Sequence, residues 1–399
     1  MNVLVDGTIS SPLGFKSNGL CCGIRSSKPD LALIYSIVPA QAVGMFTRNR
    51  VKAAPVLICQ RHLRRRAAQV IVANSGNANC CTGERGMRDA RQVVAAVARQ
   101  LRVAKQLVLP ASTGVIGKYL PVEKILAGVP ALATGLNFDR AAETARAIMT
   151  TDRFPKQLAV ELKIGGKRVV IGAVAKGAGM ICPDMATMLC FITTDVKITA
   201  AALRAALRAA VADSFNCISV DGDMSTNDAA IILANGLADN RLLTEQNVGF
   251  KQFTAALRHV CTVLAKQMVE DGEGATKIIE IRVEGAKTPA EAKRACRQMA
   301  NSPLIKTMIA GENPNWGRIP AAIGAAGVNF AEKNLEIVLQ GQTVYARQQP
   351  LLKDYAAMHQ KLKTKEVQIT VRLRRGNCAH RMWASDFTQE YVRINTEYN

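Results

Sequence analysis

Thr187 directly follows Ala186 and opens an apolar run, Met188-Leu-Cys-Phe-Ile192, behind a turn that carries Lys176, Gly177, Gly179 and Pro183. A small residue before a threonine at a strand entrance suits a nucleophile released by cleavage of the chain. A threonine that becomes an amino terminus carries its own base, because the new α-amine sits beside the hydroxyl. Strain at a Gly- and Pro-bounded turn promotes attack of that hydroxyl on the preceding carbonyl. The resulting ester at Ala186 is opened by water and frees Thr187. The competing reading is an ordinary β-branched strand residue. The chemistry needs neither histidine nor metal. The four histidines, His62, His259, His359 and His380, lie in no Ser- or Cys-containing nucleophile motif, which argues against a His-dependent triad.

Other segments could assist such a nucleophile. Ser112-Thr113-Gly114 follows the strand-like Gln106-Leu-Val-Leu109 and Pro110. A glycine N–H and a threonine hydroxyl at a strand exit make two donors of an oxyanion hole; a plain turn is the alternative. Asn74-Ser-Gly-Asn77-Ala-Asn79 can cap the helix that begins near Glu84, or bind a carboxylate through its amides. It lacks the lysine and glycine spacing of a phosphate loop. The run Asp221-Gly-Asp223-Met-Ser-Thr-Asn227-Asp228 lacks the spacing of a calcium loop and reads as a hydrogen-bonded turn near the site. Glu270, Asp271 and Glu273 crowd a helix end, where negative charge opposes the helix dipole. Either a substrate amine or Lys277 would compensate them. Asn313-Pro-Asn-Trp316 reads as a turn with a packed tryptophan, and Tyr391-Val-Arg-Ile-Asn395 as a docked tail.

These residues need elements to hold them. Leu31–Val38, Val70–Ala73 and Arg168–Val174 are apolar strand patterns, the last feeding the Gly-rich turn. Met87, Ala90, Val94, Val97 and Leu101 recur at helical spacing, as do Leu203, Leu207 and Val211, and Phe253, Leu257, Val260, Leu264 and Met268. Ile278–Val283, Leu335–Leu339 and Val367–Leu373 are further strands; the last two alternate, which predicts one exposed face on each. Two lobes fit a chain of 399 residues, with the Pro183–Thr187 turn as the obvious boundary.

Composition narrows the classes. No apolar run is long enough to span a bilayer, and the start lacks the basic flank and apolar block of a secretory signal, so a cytoplasmic location is expected. Eleven cysteines without C-x-x-C spacing read as reduced small hydrophobes, with no metal site. The formal charge of +21 is compatible with nucleic acid, an anionic membrane, acidic substrates or simply a basic lineage. The densest basic run, Arg61-His-Leu-Arg64-Arg65-Arg66, reads as a solvated helix face, because no aromatic platform accompanies it.

Taken together and in order, Asn49–Pro55, Asn74–Asn79, Lys176–Met180, Met185–Leu189, Ser219–Asp223, Asp271–Gly274, Pro314–Arg318 and Tyr391–Asn395 resemble the ornithine acetyltransferase family, or bifunctional glutamate N-acetyltransferases, of arginine biosynthesis. The resemblance covers nearly the whole chain. It implies an α/β fold of central β-sheets with helices packed outside, and self-cleavage between Ala186 and Thr187. The products would be an α chain, residues 1–186, and a β chain, residues 187–399, associated as α2β2. It implies Thr187 as nucleophile, Thr113 and Gly114 as the oxyanion pair, and Thr150, Lys176, Thr187, Glu273 and Asn395 as substrate contacts. The expected reaction moves acetyl from N2-acetyl-ornithine to glutamate without a cofactor, with acetyl-CoA as a possible second donor and no nucleic-acid or membrane partner. The family also uses a hydroxyl residue at its C-terminus, about one position beyond Asn399, and carries a smaller polar residue where Met224 stands here. A self-processing aminopeptidase with the same nucleophile and a basic nucleic-acid-binding protein are the alternative readings.

Overall fold

The computed structural model describes residues 1–182 and 188–397. Ala186 and Thr187, the expected cleavage site and nucleophile, lie outside the described residues. The chain forms two compact units. The first comprises Met1–Gly177, Asp184–Asn216 and Met224–Ala265; the second comprises Ala178–Pro183, Cys217–Asp223 and Lys266–Asn399.

The first unit is built on a mixed sheet that is nine-stranded among the described residues. In spatial order the strands are Asn2–Val3, Lys156–Ile164, Lys167–Lys176, Leu189–Thr194, Ala229–Ala234, Leu31–Phe46, Ala67–Asn74 and Val108–Ser112, with Phe15–Leu20 also paired to Leu31–Phe46. The apolar runs are continuous because both faces of these strands are covered. Leu31, Leu33, Val70 and Val72 pack with Val93, Val94 and Val97 of helix Gly83–Leu101 and Ile125 of helix Val122–Thr134. Their neighbours Ala32, Ile34, Ile71 and Ala73 point the other way, into a second core with Phe15, Ala141, Ala145 and Phe191. The two-residue period of a strand thus serves two cores at once. Burying each large apolar side chain contributes about 1.5–3 kcal/mol.

The units divide at several points along the chain, one of them between Pro183 and Asp184 at the expected turn and another between Gly177 and Ala178. The strands on either side of that turn, Lys167–Lys176 and Leu189–Thr194, pair antiparallel from Ile171↔Thr194 to Lys176↔Leu189. A ladder of main-chain hydrogen bonds keeps both in one sheet. Residues 1–186 and 187–399 therefore each contribute to both units.

The second unit holds a sheet ordered Gln349–Pro350, Gln342–Ala346, Glu336–Leu339, Glu366–Arg372, Ile278–Ala286, Cys378–Ser385 and Ile218–Ser219. Helix Pro289–Ala300 packs on the central strands. Thr288 caps it by accepting the Glu291 N–H at 3.2 Å. Glu366–Arg372 alternates buried and exposed as expected, but Glu336–Leu339 does not. Its Glu336 is buried because Arg372 and Arg374 fold over it, the first at 2.7 Å. Helix Val248–Glu270 carries its stripe of Phe253, Leu257, Val260, Leu264 and Met268 fully buried.

Two smaller expectations shift. Gln106 and Leu107 form a 3-10 turn, Lys105–Leu107, and the strand starts only at Val108. The first long strand runs on to Phe46 through a bulge between Tyr35 and Ala40. All eleven cysteines are free thiols.

Candidate active site

Four of the predicted site residues meet in the first unit. Lys176 ends strand Lys167–Lys176, and Thr113-Gly114 follows strand Val108–Ser112. Thr150 lies between helix Ala141–Ala147 and strand Lys156–Ile164. The Lys176 ammonium, 3 % exposed, donates to Thr150 Oγ1 at 2.8 Å and to Thr113 Oγ1 at 3.2 Å. Because both oxygens accept from the ammonium, each hydroxyl proton is left to point elsewhere.

Gly114 sits beside them with φ +130°, in close approach to the Asn74–Asn79 segment. A Cβ there would stand 2.3 Å from the Gly76 carbonyl carbon, so only glycine fits. The N–H groups on either side are spent: Thr113 donates to Asn74 O at 3.0 Å and Val115 to Gly76 O at 3.4 Å. The Gly114 N–H makes no hydrogen bond among the described residues. An unspent N–H beside a hydroxyl backed by a buried ammonium can stabilise an oxyanion.

Asp152, which sequence reasoning passed over, ties this group together. Its Oδ1 accepts from Lys156 Nζ at 2.7 Å and from the Gly177 N–H at 2.8 Å, and its Oδ2 from the Thr150 N–H at 2.9 Å. Burial works to raise its pKa, but Lys176 and Lys156 prevail and hold it well below the usual carboxylate range. The available signal was the four-residue spacing of Asp152 and Lys156 before an apolar strand. A fully buried lysine demands a partner.

The turn at 221–228 carries hydrogen bonds, as expected, and its functional reach was missed. Asn227 Nδ2 donates to Ser112 O at 2.8 Å and Ala78 O at 2.7 Å, fixing the residue before Thr113. The buried Asp228 accepts the Met188 N–H at 3.1 Å, while its other oxygen has no partner among the described residues. Burial pushes the Asp228 carboxyl well above its ordinary range. The Asn74–Asn79 amides are committed to the fold: Asn74 to Asn77 O, Asn77 to Lys118 O and Tyr119 O, and Asn79 to Gly86 O. Asn77 thereby spends both of its amide N–H donors on the chain, and Asn74 and Asn79 one each.

The other two candidates meet in the second unit. Asn395, on helix Gln389–Glu397, donates to Glu273 Oε2 at 2.8 Å. Thr388 binds Gly274 O at 2.7 Å, so the tail is docked. Gly179 faces Glu273 so closely that a Cβ would lie 2.4 Å from the carboxylate. Lys277 does not compensate this end of the long helix; it pairs with Glu312 at 3.0 Å, and Glu270 pairs with Lys365. Asp221 accepts the Ile181 N–H at 2.9 Å and the Asp223 N–H at 3.2 Å. Burial pushes it up to about 6. Among the described residues no group of His, Cys, Asp or Glu could hold a metal, and no helix is long and apolar enough to cross a membrane.

The model of the ArgJ family matches residues 16–399. The arginine biosynthesis bifunctional protein ArgJ of Symbiobacterium thermophilum is 46% identical over 395 residues, 98% of each chain. That of Caldanaerobacter subterraneus is 44% identical over 405 residues, 99% of each chain. Among solved structures, ornithine acetyltransferase from Mycobacterium tuberculosis, complexed with ornithine, is 36% identical over 47% of this chain and 98% of its own, with a TM-score of 0.43.

Proposed function

Because the chain belongs to the ArgJ family, we propose that it is the acyltransferase of arginine biosynthesis that moves acetyl from N2-acetyl-ornithine to glutamate. Thr187, freed by scission after Ala186, is the nucleophile. Its α-amine takes the hydroxyl proton as Oγ attacks the acetyl carbonyl. The amide C–N bond breaks, the proton passes to the leaving amine, and ornithine departs from an acetyl-Thr187 ester. The glutamate amine then attacks the ester, and N-acetyl-glutamate leaves as Oγ recovers its proton.

The observation that carries this reading is the buried Lys176 ammonium bonded to both threonine hydroxyls, beside the unspent Gly114 N–H. Thr113 and Gly114 hold the oxyanion; Lys176 and Thr150 receive the substrate carboxylate; Glu273 and Asn395 receive an amino group. Residues 1–186 and 187–399 act as the α and β chains of an α2β2 assembly. Acetyl-CoA loads the same ester as a second donor, which release of free CoA thiol on mixing would test.

The main test joins mass to activity. Active protein should give two chains in denaturing gels, one beginning Thr-Met-Leu-Cys. Thr187→Ala should give one uncut, inactive chain. Full acetyl transfer by an uncut wild-type chain would overturn the proposal.

A further inference from the structure

The arginines of the basic run at 61–66 are solvent-exposed, as expected, and part of the run also lines a cavity. Helix Ala54–His62 passes into a 3-10 turn, Leu63–Arg65, and the two present Arg61, His62 and Arg65 to a cavity of about 480 Å³. Helix Gly83–Leu101 adds Arg91, and the turn Lys105–Leu107 adds Lys105. The buried side chains of Ile58 and Val94 form its apolar part. Among the described residues none of its lining is acidic.

These four cations differ from many others on the surface. Arg140, Arg168, Arg372 and Arg374 all have carboxylate partners. Arg61, Arg65, Arg91 and Lys105 have none among the described residues. The dipole of helix Ala54–His62 accounts for Arg61 in its last turn, but not for Arg65, Arg91 or Lys105. A cleft lined by one sign of charge focuses its field and concentrates counter-ions. Three guanidinium forks match phosphate oxygens in pairs, and an apolar floor takes the body of a small ligand. His62 donates Nδ1–H to the Val108 carbonyl at 2.8 Å, leaving Nε2 as a further polar edge.

We infer that this cavity binds a small organic phosphate, with two or more phosphate charges on a planar or apolar body. Titration calorimetry on the full protein would test it, with ADP as probe and inorganic pyrophosphate and adenosine as its two halves. ADP should bind saturably at one site, pyrophosphate about tenfold more weakly, and adenosine undetectably. Raising ionic strength to about 0.15 M should weaken ADP binding. Arg65→Glu, Arg91→Glu and the milder Arg91→Gln should each weaken it by about tenfold or more. Arg64→Glu, exposed but off the cavity, should leave it within about twofold. The inference falls if ADP shows no saturable binding, or if Arg64→Glu costs as much as Arg91→Glu. It also falls if pyrophosphate binds as tightly as ADP. Displacement of ADP by a more tightly held single-stranded oligonucleotide would replace it with a nucleic-acid site.

Discussion

At the scale of single residues, Lys176 does the most. One buried ammonium fixes two hydroxyls and helps hold Asp152 ionised. Lys176→Met should raise KM for the substrate whose carboxylate it receives and loosen the Thr113 hydroxyl it holds, together lowering kcat/KM by on the order of 100-fold. Lys176→Arg should not rescue it, because a planar fork cannot replace a compact ammonium between two threonines. Steady-state kinetics on both variants checks this. Asp221 gives a pH prediction. Its folded pKa, about 6, lies above the ordinary carboxylate value, so the folded state binds the extra proton between roughly pH 4 and 6. Its contribution to stability therefore falls as pH rises through that window. Asp221→Asn should flatten that part of the curve, measured by denaturant melts across the range. The members of this cluster were legible in different ways: Thr113 and Gly114 from their place at a strand exit, Thr150 and Lys176 from the family resemblance. Asp152 was not, although its four-residue spacing to Lys156 was there to be read; Asn227 was not, because it bonds main-chain groups of distant segments, which spacing alone does not show.

At the scale of elements, the strand ends place the chemistry and glycines let segments approach. Gly179 tests this. A Cβ there would meet the end of the flexible Glu273 side chain at 2.4 Å, not the main chain. Gly179→Ala should therefore displace Glu273 and raise KM for the amine-bearing substrate several-fold, while moving Tm little. A large fall in Tm with unchanged KM would show that the glycine serves packing instead. Helices with an apolar stripe, such as Gly83–Leu101 and Val248–Glu270, were read within a few residues of their ends. The buried face of Glu336–Leu339 was not, since two arginines from a neighbouring segment cover Glu336. Alternation in one strand cannot report a cover supplied from elsewhere.

At the scale of the whole molecule, the decisive fact is that residues before and after the Pro183–Thr187 turn share one sheet. Strand Leu189–Thr194 lies between Lys167–Lys176, antiparallel, and Ala229–Ala234, parallel. If the chain is cut after Ala186, the pieces should co-elute as one species in size-exclusion chromatography under native conditions. They should separate only in denaturant. Separation in plain buffer would contradict the sheet. The order of segments in space was not legible from the chain, because period-two patterns give strands but not their neighbours.

That shared sheet also bears on the sequence of events in the cell. A polypeptide ending at Ala186 would leave the ribosome with the edge of Lys167–Lys176 uncovered, an invitation to aggregate. If the chain is cut after Ala186, a cut made only after folding would spare it that uncovered edge. Splitting the gene after the codon for Ala186 should then yield inclusion bodies rather than enzyme.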